Sequence, residues 1–247
     1  MDAAWFYMES IPGHGETAWL QRDEVRHATS SRRLSSDDTI TLFDGRGTVA
    51  RAILGRQRDP DGGLEVRIES IELRNEPVPL IELVSAMPKG DRITTMLDGA
   101  AQAGMSEFRP LDCEHGRLNS SSIRHQRWRR VLLSACKQSR RPHVPRVLES
   151  MDVSSRLASV GEDELLLALH PGGIGFTDLM QGLDASARPS RISMMIGPEG
   201  GFSQGELDEI TAAGVQCVDL GEGILRIEIA AIISCALAAQ LACWSTG

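Results

Sequence analysis

From residue 80 onward the chain alternates short apolar runs with segments of helical period, and that rhythm restricts it to an α/β architecture. Residues 80–87, 105–111, 165–170, 192–196 and 215–220 read as strands. Residues 92–103, 124–139 and 226–244 read as helices, the first ended by Gly104. A further helix opens at Ser203-Gln204-Gly205-Glu206, where serine and glutamate are spaced to cap each other's backbone amides, and stops at Gly214. Strands separated by helices pair mostly in parallel, which covers both faces of the sheet.

The first 75 or so residues have a different texture. Residues 19–20, 39–43, 48–54 and 64–73 are β-branched or alternating, Asp44-Gly45-Arg46-Gly47 is a hairpin-type turn, and one polar helix is expected over 22–34. This is the pattern of a small barrel or sandwich. Pro77 and Pro79 cannot continue a sheet interior, so the expected domains are 1–76 and 77–247.

Composition removes several function classes. The longest largely apolar stretch, residues 229–244, is interrupted by Ser234 and Gln240 and falls short of the ~20 residues that a membrane-spanning helix needs. The N-terminus has neither a basic segment nor a long apolar run, and the five cysteines form no C-x-x-C pair. The expectation is a cytoplasmic protein with reduced thiols and no membrane partner. Neither Cys113-Glu114-His115 nor the remaining histidines show metal-ligand spacing, so no metal is expected. With 4 Trp, 1 Tyr and 5 Phe, aromatic stacking on single strands is disfavoured.

Net charge is −8, yet nine basic residues and no acid lie between Glu114 and Glu149: Arg117, Arg124, Arg127, Arg129, Arg130, Lys137, Arg140, Arg141 and Arg146. A charge run is ordinarily a solvated helix face. One sign sustained through this segment of an acidic chain instead favours a local meeting with phosphates. Arg22, Arg26, Arg32 and Arg33 form a second basic cluster. The candidate contacts to the backbone of a folded RNA are Arg22, Arg32, Arg33, Arg124, Arg127, Arg140 and Arg141.

Two strand ends feed glycine-bearing loops, Ile196-Gly197-Pro198-Glu199-Gly200-Gly201-Phe202 and Leu220-Gly221-Glu222-Gly223-Ile224-Leu225-Arg226. A third candidate, Leu169-His170-Pro171-Gly172-Gly173, also follows a strand. Each alone reads equally well as a turn. Together they stand at the C-terminal ends of parallel strands, where open α/β sheets bind ligands. Neither a G-x-G-x-x-G loop nor a G-x-x-x-x-G-K-[ST] loop is present, so nucleoside triphosphate hydrolysis has no support. Glu199 suits a neutral or cationic ligand better than a phosphate.

Ile196 to Phe202, followed by Leu220-Gly221 and by Ile224-Leu225-Arg226 with Glu228, resembles the C-terminal signature of the RsmE family of SPOUT-superfamily methyltransferases. Other segments agree. They are Phe43-Asp44-Gly45 preceded by His27 and Arg33, Met87-Pro88-Lys89-Gly90-Asp91-Arg92, Ala135-Cys136 with Gln138-Ser139, Arg141 and Val144-Pro145, and Leu169-His170-Pro171. The resemblance implies an α/β fold in which a small PUA-like β-barrel that binds RNA precedes a SPOUT domain with a C-terminal trefoil knot. It implies a homodimer that uses S-adenosyl-L-methionine, without metal, to methylate N3 of a uridine in 16S ribosomal RNA, free or within the small ribosomal subunit. It further implies cofactor binding by Leu169, His170, Pro171, Ile196, Gly197, Pro198, Glu199, Gly200, Leu220, Gly221, Ile224, Leu225 and Arg226. The chain departs from the family at Ile227 and Ile229, where threonines usually flank the glutamate, and at Glu222-Gly223, where Pro-Arg is common. A non-catalytic RNA-binding relative, or a methyltransferase acting on a different RNA, remain as alternatives.

Uridine N3 is a poor nucleophile until its imide proton leaves, and a nearby cation stabilises the anion. Arg226 is the candidate for that role, or for positioning the uracil, and Glu228 is the second candidate catalytic residue. Two positions apart on a helix they would point about 200° apart, so both reach one site only if Arg226 precedes the helix. Glu228 in a first helical turn also has a purely structural reading, through the helix dipole.

Overall fold

A computed structural model describes residues 3–26, 34–118, 124–183 and 189–244, with the backbone alone for 242–244. His27, Arg32 and Arg33 lie outside the described residues. The chain divides into two compact units, one of residues 1–76 with 133–144 and one of residues 77–132 with 145–247.

The first unit is a five-stranded sheet of β1 (Trp5–Tyr7), β2 (Thr17–Leu20), β3 (Thr39–Phe43), β4 (Thr48–Arg58) and β5 (Leu64–Leu73), in the order β1-β3-β4-β5-β2. Only β1 and β3 run parallel. Alternation sends Phe6, Leu20, Ile40, Leu42, Ala50, Ala52, Val66 and Ile68 into one core, closed by Val25 of helix α1 (Arg22–Arg26). The rest of the helix expected over 22–34 runs into residues outside the description. At the β3–β4 turn the Asp44 carboxylate accepts the amides of Arg46 (2.7 Å) and Thr48 (3.0 Å), and Gly45 and Gly47 supply positive φ. On the opposite face of the sheet Trp5, Phe43 and Val49 pack against Leu133, Cys136 and Val144.

The second unit is an all-parallel sheet of β6 (Leu80–Ser85), β7 (Glu107–Asp112), β8 (Arg146–Val147), β9 (Met151–Asp152), β10 (Glu164–Gly175), β11 (Arg191–Ile196) and β12 (Gln216–Asp219). The order is β12-β10-β11-β6-β7-β8, with β9 beside β7. Its helices are α2 (Arg92–Gln102), α3 (His125–Ser139), α4 (Val153–Ala158), α5 (Phe176–Gly182), α6 (Gln204–Ala212) and α7 (Ile227–Trp244); the last seven residues of α3 count with the first unit. The side chains of Val153 and Leu157 in α4, and of Leu207 and Ile210 in α6, cover one face of the sheet through Val84, Ala168 and Met195. Helix α7 packs on α2, β6 and β11. The helices α2 and α7 approach closely at Gly99, where a Cβ would stand 2.4 Å from Ile232 Cδ1. The capping box at Ser203 and Glu206 is formed in full. Among the described residues no helix is long and apolar enough to cross a membrane.

Charge is buried beneath α4. Glu82 on β6 is 1% exposed and accepts hydrogen bonds from Arg109 Nε (2.7 Å), Arg156 Nη2 (2.9 Å) and Ser193 Oγ (2.9 Å). Arg156 also pairs with Glu164, and Arg191 with Glu107. Burial alone would raise the Glu82 carboxyl, but Arg156, then Arg109 and Ser193, bring it below its ordinary value of 4.5.

Candidate functional site

Four neighbouring strands of the parallel sheet deliver their C-terminal ends to one place. Residues 197–202 follow β11, residues 220–225 follow β12, and Arg92 stands at the start of the helix after β6. The third candidate loop is not a loop after a strand. Strand β10 continues through it to Gly175, with a register shift between Leu169 and Ile174. The bulge arises because Leu169 and Ile174 both pair with Val218, which pushes the four intervening residues out of the ladder. Gly173 is required there, since a Cβ would stand 2.5 Å from the Cys217 carbonyl oxygen.

These segments enclose a cavity of about 380 Å³. Twelve of the thirteen cofactor-binding candidates line it: Leu169, His170, Pro171, Ile196, Gly197, Pro198, Glu199, Gly200, Leu220, Gly221, Ile224 and Leu225. Arg226 is the exception. It is exposed and lies between the lining residues Leu225 and Ile227. Its carbonyl accepts the amides of Ile229 (3.0 Å) and Ala230 (2.9 Å), so it stands just before α7, where its side chain is not bound to helical spacing. The lining also includes Gly201, Phe202, Glu222 and Gly223, which belong to the two glycine loops singled out from sequence without being cofactor-binding candidates, and Val218, Asp219, Ile227 and Ala230, which sequence reasoning missed as lining. Among the described residues the wall is apolar with three carboxylates, Glu199, Asp219 and Glu222, and no lysine or arginine.

Asp219 ties two of the segments together. Its carboxylate accepts the Gly172 amide (2.8 Å) and the Gly221 amide (3.0 Å), and these bonds, Gly172 first, hold it below the usual carboxylate range. Its place as the last residue of a strand before Leu220-Gly221 was the available sequence signal.

Glu228 is 5% exposed and is not part of the lining. Arg92 links it to the site: its Nη2 donates to Glu199 Oε1 (2.9 Å), and its Nη1 lies 3.7 Å from Glu228 Oε2. The buried thiols outside the cavity are poor nucleophiles, because burial pushes Cys113 up to about 12 and Cys136 up to about 11.

The basic residues singled out from sequence behave differently from one another. Arg127 pairs with Asp91 (2.8 Å), Lys137 with Glu24 (2.7 Å) and Arg146 with Glu107 (2.9 Å), so acids distant in sequence answer part of the acid-free run. Arg22 and Arg124 are exposed, Arg140 is exposed with φ 57°, and Arg141 is half-buried. Arg32 and Arg33 lie outside the described residues.

Comparison with known proteins places this geometry. A family model described as an RNA methyltransferase domain matches residues 74–239, and one described as an RNA methyltransferase PUA domain matches residues 20–58. Ribosomal RNA small subunit methyltransferase E of Mycobacterium bovis is 30% identical over 246 residues, covering 95% of this chain and 90% of that protein. The Synechocystis protein of the same name is 30% identical, covering 89% and 72%. A crystal structure of ribosomal RNA small subunit methyltransferase E from Neisseria gonorrhoeae, bound to S-adenosyl methionine, matches with a TM-score of 0.82 at 28% identity, covering 97% of this chain and 98% of that one. By sequence along almost its whole length, this chain belongs to the ribosomal RNA small subunit methyltransferase E family.

Proposed function

We propose that the chain transfers the methyl group of S-adenosylmethionine to N3 of a uridine in 16S ribosomal RNA, in the cytoplasm where small ribosomal subunits are assembled. The observation that carries this reading is the cavity at the sheet's C-terminal edge. Apolar side chains suit an adenine ring, and the carboxylates of Asp219 and Glu222, with Glu199 held by Arg92, suit ribose hydroxyls and a cationic sulfonium and repel phosphates. Gly201, Gly221 and Gly223 leave open space where a Cβ would stand, so backbone amides can approach a ligand closely.

When bound, the cofactor supplies an electrophilic methyl group on sulfur, which leaves alignment and proton handling to the protein. The segments 169–171, 196–200 and 220–225 would hold it. Arg226, at the mouth between Leu225 and Ile227, stabilises the uridine N3 anion and orients the uracil, which must be flipped or already exposed to arrive there. Glu228 acts through Arg92, fixing the start of α7 against the loop that carries Glu199.

The active unit is a homodimer. Ile229 and Ile233 stand exposed on one side of α7, and Ile224 beside it is 92% exposed, an apolar stripe that a second copy would cover. The C-terminal segment forms a trefoil knot, a reading supported by the return of α7 from edge strand β12 to pack on α2, β6 and β11. The N-terminal unit is the PUA-like barrel that grips the RNA, with Arg22, Arg140 and Arg141 as its phosphate contacts; Arg124 and Arg127, in the second unit, are candidate phosphate contacts of that unit.

Isothermal titration with S-adenosylmethionine tests the cofactor assignment. Binding of one molecule per chain, competed by S-adenosylhomocysteine, is expected. No heat together with no thermal shift overturns it.

A further inference from the structure

The N-terminal sheet has a second face that the barrel core does not use, and only part of it is covered. Leu133, Cys136 and Val144 pack over Trp5, Phe43 and Val49. The remainder opens into a groove of about 750 Å³. Pairing registers place Trp5, Thr41, Arg51 and Ser70 side by side in one row across β1, β3, β4 and β5. Arg74 and Arg140 line the same groove. Arg74 lies 6.0 Å from the centre of the Trp5 ring and is bonded to Glu72, the one acid among the described residues of the lining, at 3.1 and 3.2 Å.

We propose that this groove is a binding site for the phosphate backbone of structured RNA, with Arg51 at its centre and Arg74 and Arg140 on its rim. The inference rests on the RNA-methyltransferase reading above and adds Arg51 and Arg74, which the motifs did not single out, to the candidate Arg140. Among the described residues of the lining, three guanidinium groups stand with one carboxylate, a local excess of positive charge in a chain of net charge −8. The hydroxyls of Thr39, Thr41 and Ser70 are further donors for phosphate oxygens. Trp5 and Val49 are buried, so the groove offers neither a stacking platform for bases nor an apolar pocket for the anchor side chain of a peptide. What is left is recognition of a charged, regularly spaced backbone.

The test uses the full chain and a 16S ribosomal RNA transcript, with affinity followed across a salt series. Arg51→Glu is expected to weaken RNA binding about tenfold or more and to lower the slope of log affinity against log salt by about one. Ser70→Glu puts a carboxylate in the same row on the neighbouring strand while keeping the arginine, and is expected to weaken binding in the same direction. Arg51→Lys retains most of the affinity. S-adenosylmethionine affinity and melting temperature stay at wild-type values in all three. Wild-type RNA affinity and salt slope in both acidic variants overturn the groove alone. A wild-type chain that binds S-adenosylmethionine and no RNA overturns the groove and the substrate reading together.

Discussion

Arg92 Nη1 lies 3.7 Å from Glu228 Oε2, an oxygen with less than 1 Å² of exposed surface that no hydrogen bond satisfies among the described residues. The same guanidinium holds Glu199 on the cavity wall at 2.9 Å. One side chain therefore connects the loop after β11 to the first turn of α7. Arg92→Ala is expected to strand the Glu228 charge and to destabilise the fold by about 1–3 kcal/mol. Adding Glu228→Gln should restore much of that loss, because the stranded charge goes with it. Chemical unfolding of the single and double variants reads this, and simple additivity of the two changes would contradict the coupling.

Adjacent glycines in the β10 bulge should respond unequally. A Cβ at Gly173 meets the Cys217 carbonyl at 2.5 Å, whereas a Cβ at Gly172, with φ +81°, meets nothing within 4 Å. Gly172→Ala should therefore lose about 1–2 kcal/mol from backbone conformation alone. Gly173→Ala must also part β10 from β12, so it should lose more and should empty the cavity of cofactor. Equal melting temperatures for the two variants would show that the bulge is not the constraint described.

Stability should fall in acid through Glu82. Its carboxyl is held below 4.5 in the folded state, so its contribution is fully present above that value and is lost as pH drops through the lower folded one. Glu82→Gln is expected to destabilise the protein at pH 7 by about 1–3 kcal/mol, because Arg109 and Arg156 lose a buried carboxylate while Arg156 keeps Glu164. It should also flatten the acid limb of a stability–pH curve. An unchanged acid limb would mean that other carboxylates carry the effect.

Ile233 is 37% exposed on the stripe of α7 assigned to a second copy. Ile233→Asp should convert a dimer to a monomer in sedimentation velocity, with little change in secondary structure. A wild-type chain that sediments as a monomer at micromolar concentration would remove the proposed dimer outright.

Much of the second unit was legible in sequence because its signals are local. The capping box at Ser203, the glycine stops after α2 and α6, and the buried runs of β6 and β11 each follow from a few adjacent residues. So do the two glycine loops, whose candidates line the cavity nearly in full. What escaped depends on partners far away in the chain. Strand β10 continues past Pro171 because Ile174 finds the same partner strand again after a bulge. Residues 133–144 join the first unit through Cys136 and Val144, although α3 has one uninterrupted helical pattern. Strands β1, β8 and β9 have two or three residues each, too few to show a period. The acid-free run looked uniformly basic, yet Glu24, Asp91 and Glu107 come to it from elsewhere. Arg92 and Glu228 likewise meet only because α2 packs on α7.

The most direct test of the assignment is mass-spectrometric mapping of 16S ribosomal RNA from cells with and without the gene, followed by treatment of the unmodified subunit with purified protein and S-adenosylmethionine. The account predicts one methyl group on N3 of a single uridine, absent without the gene and restored by the protein. A modification map identical in both cells, with cofactor and RNA still bound by the protein, would contradict it and leave a binding protein without methyl transfer.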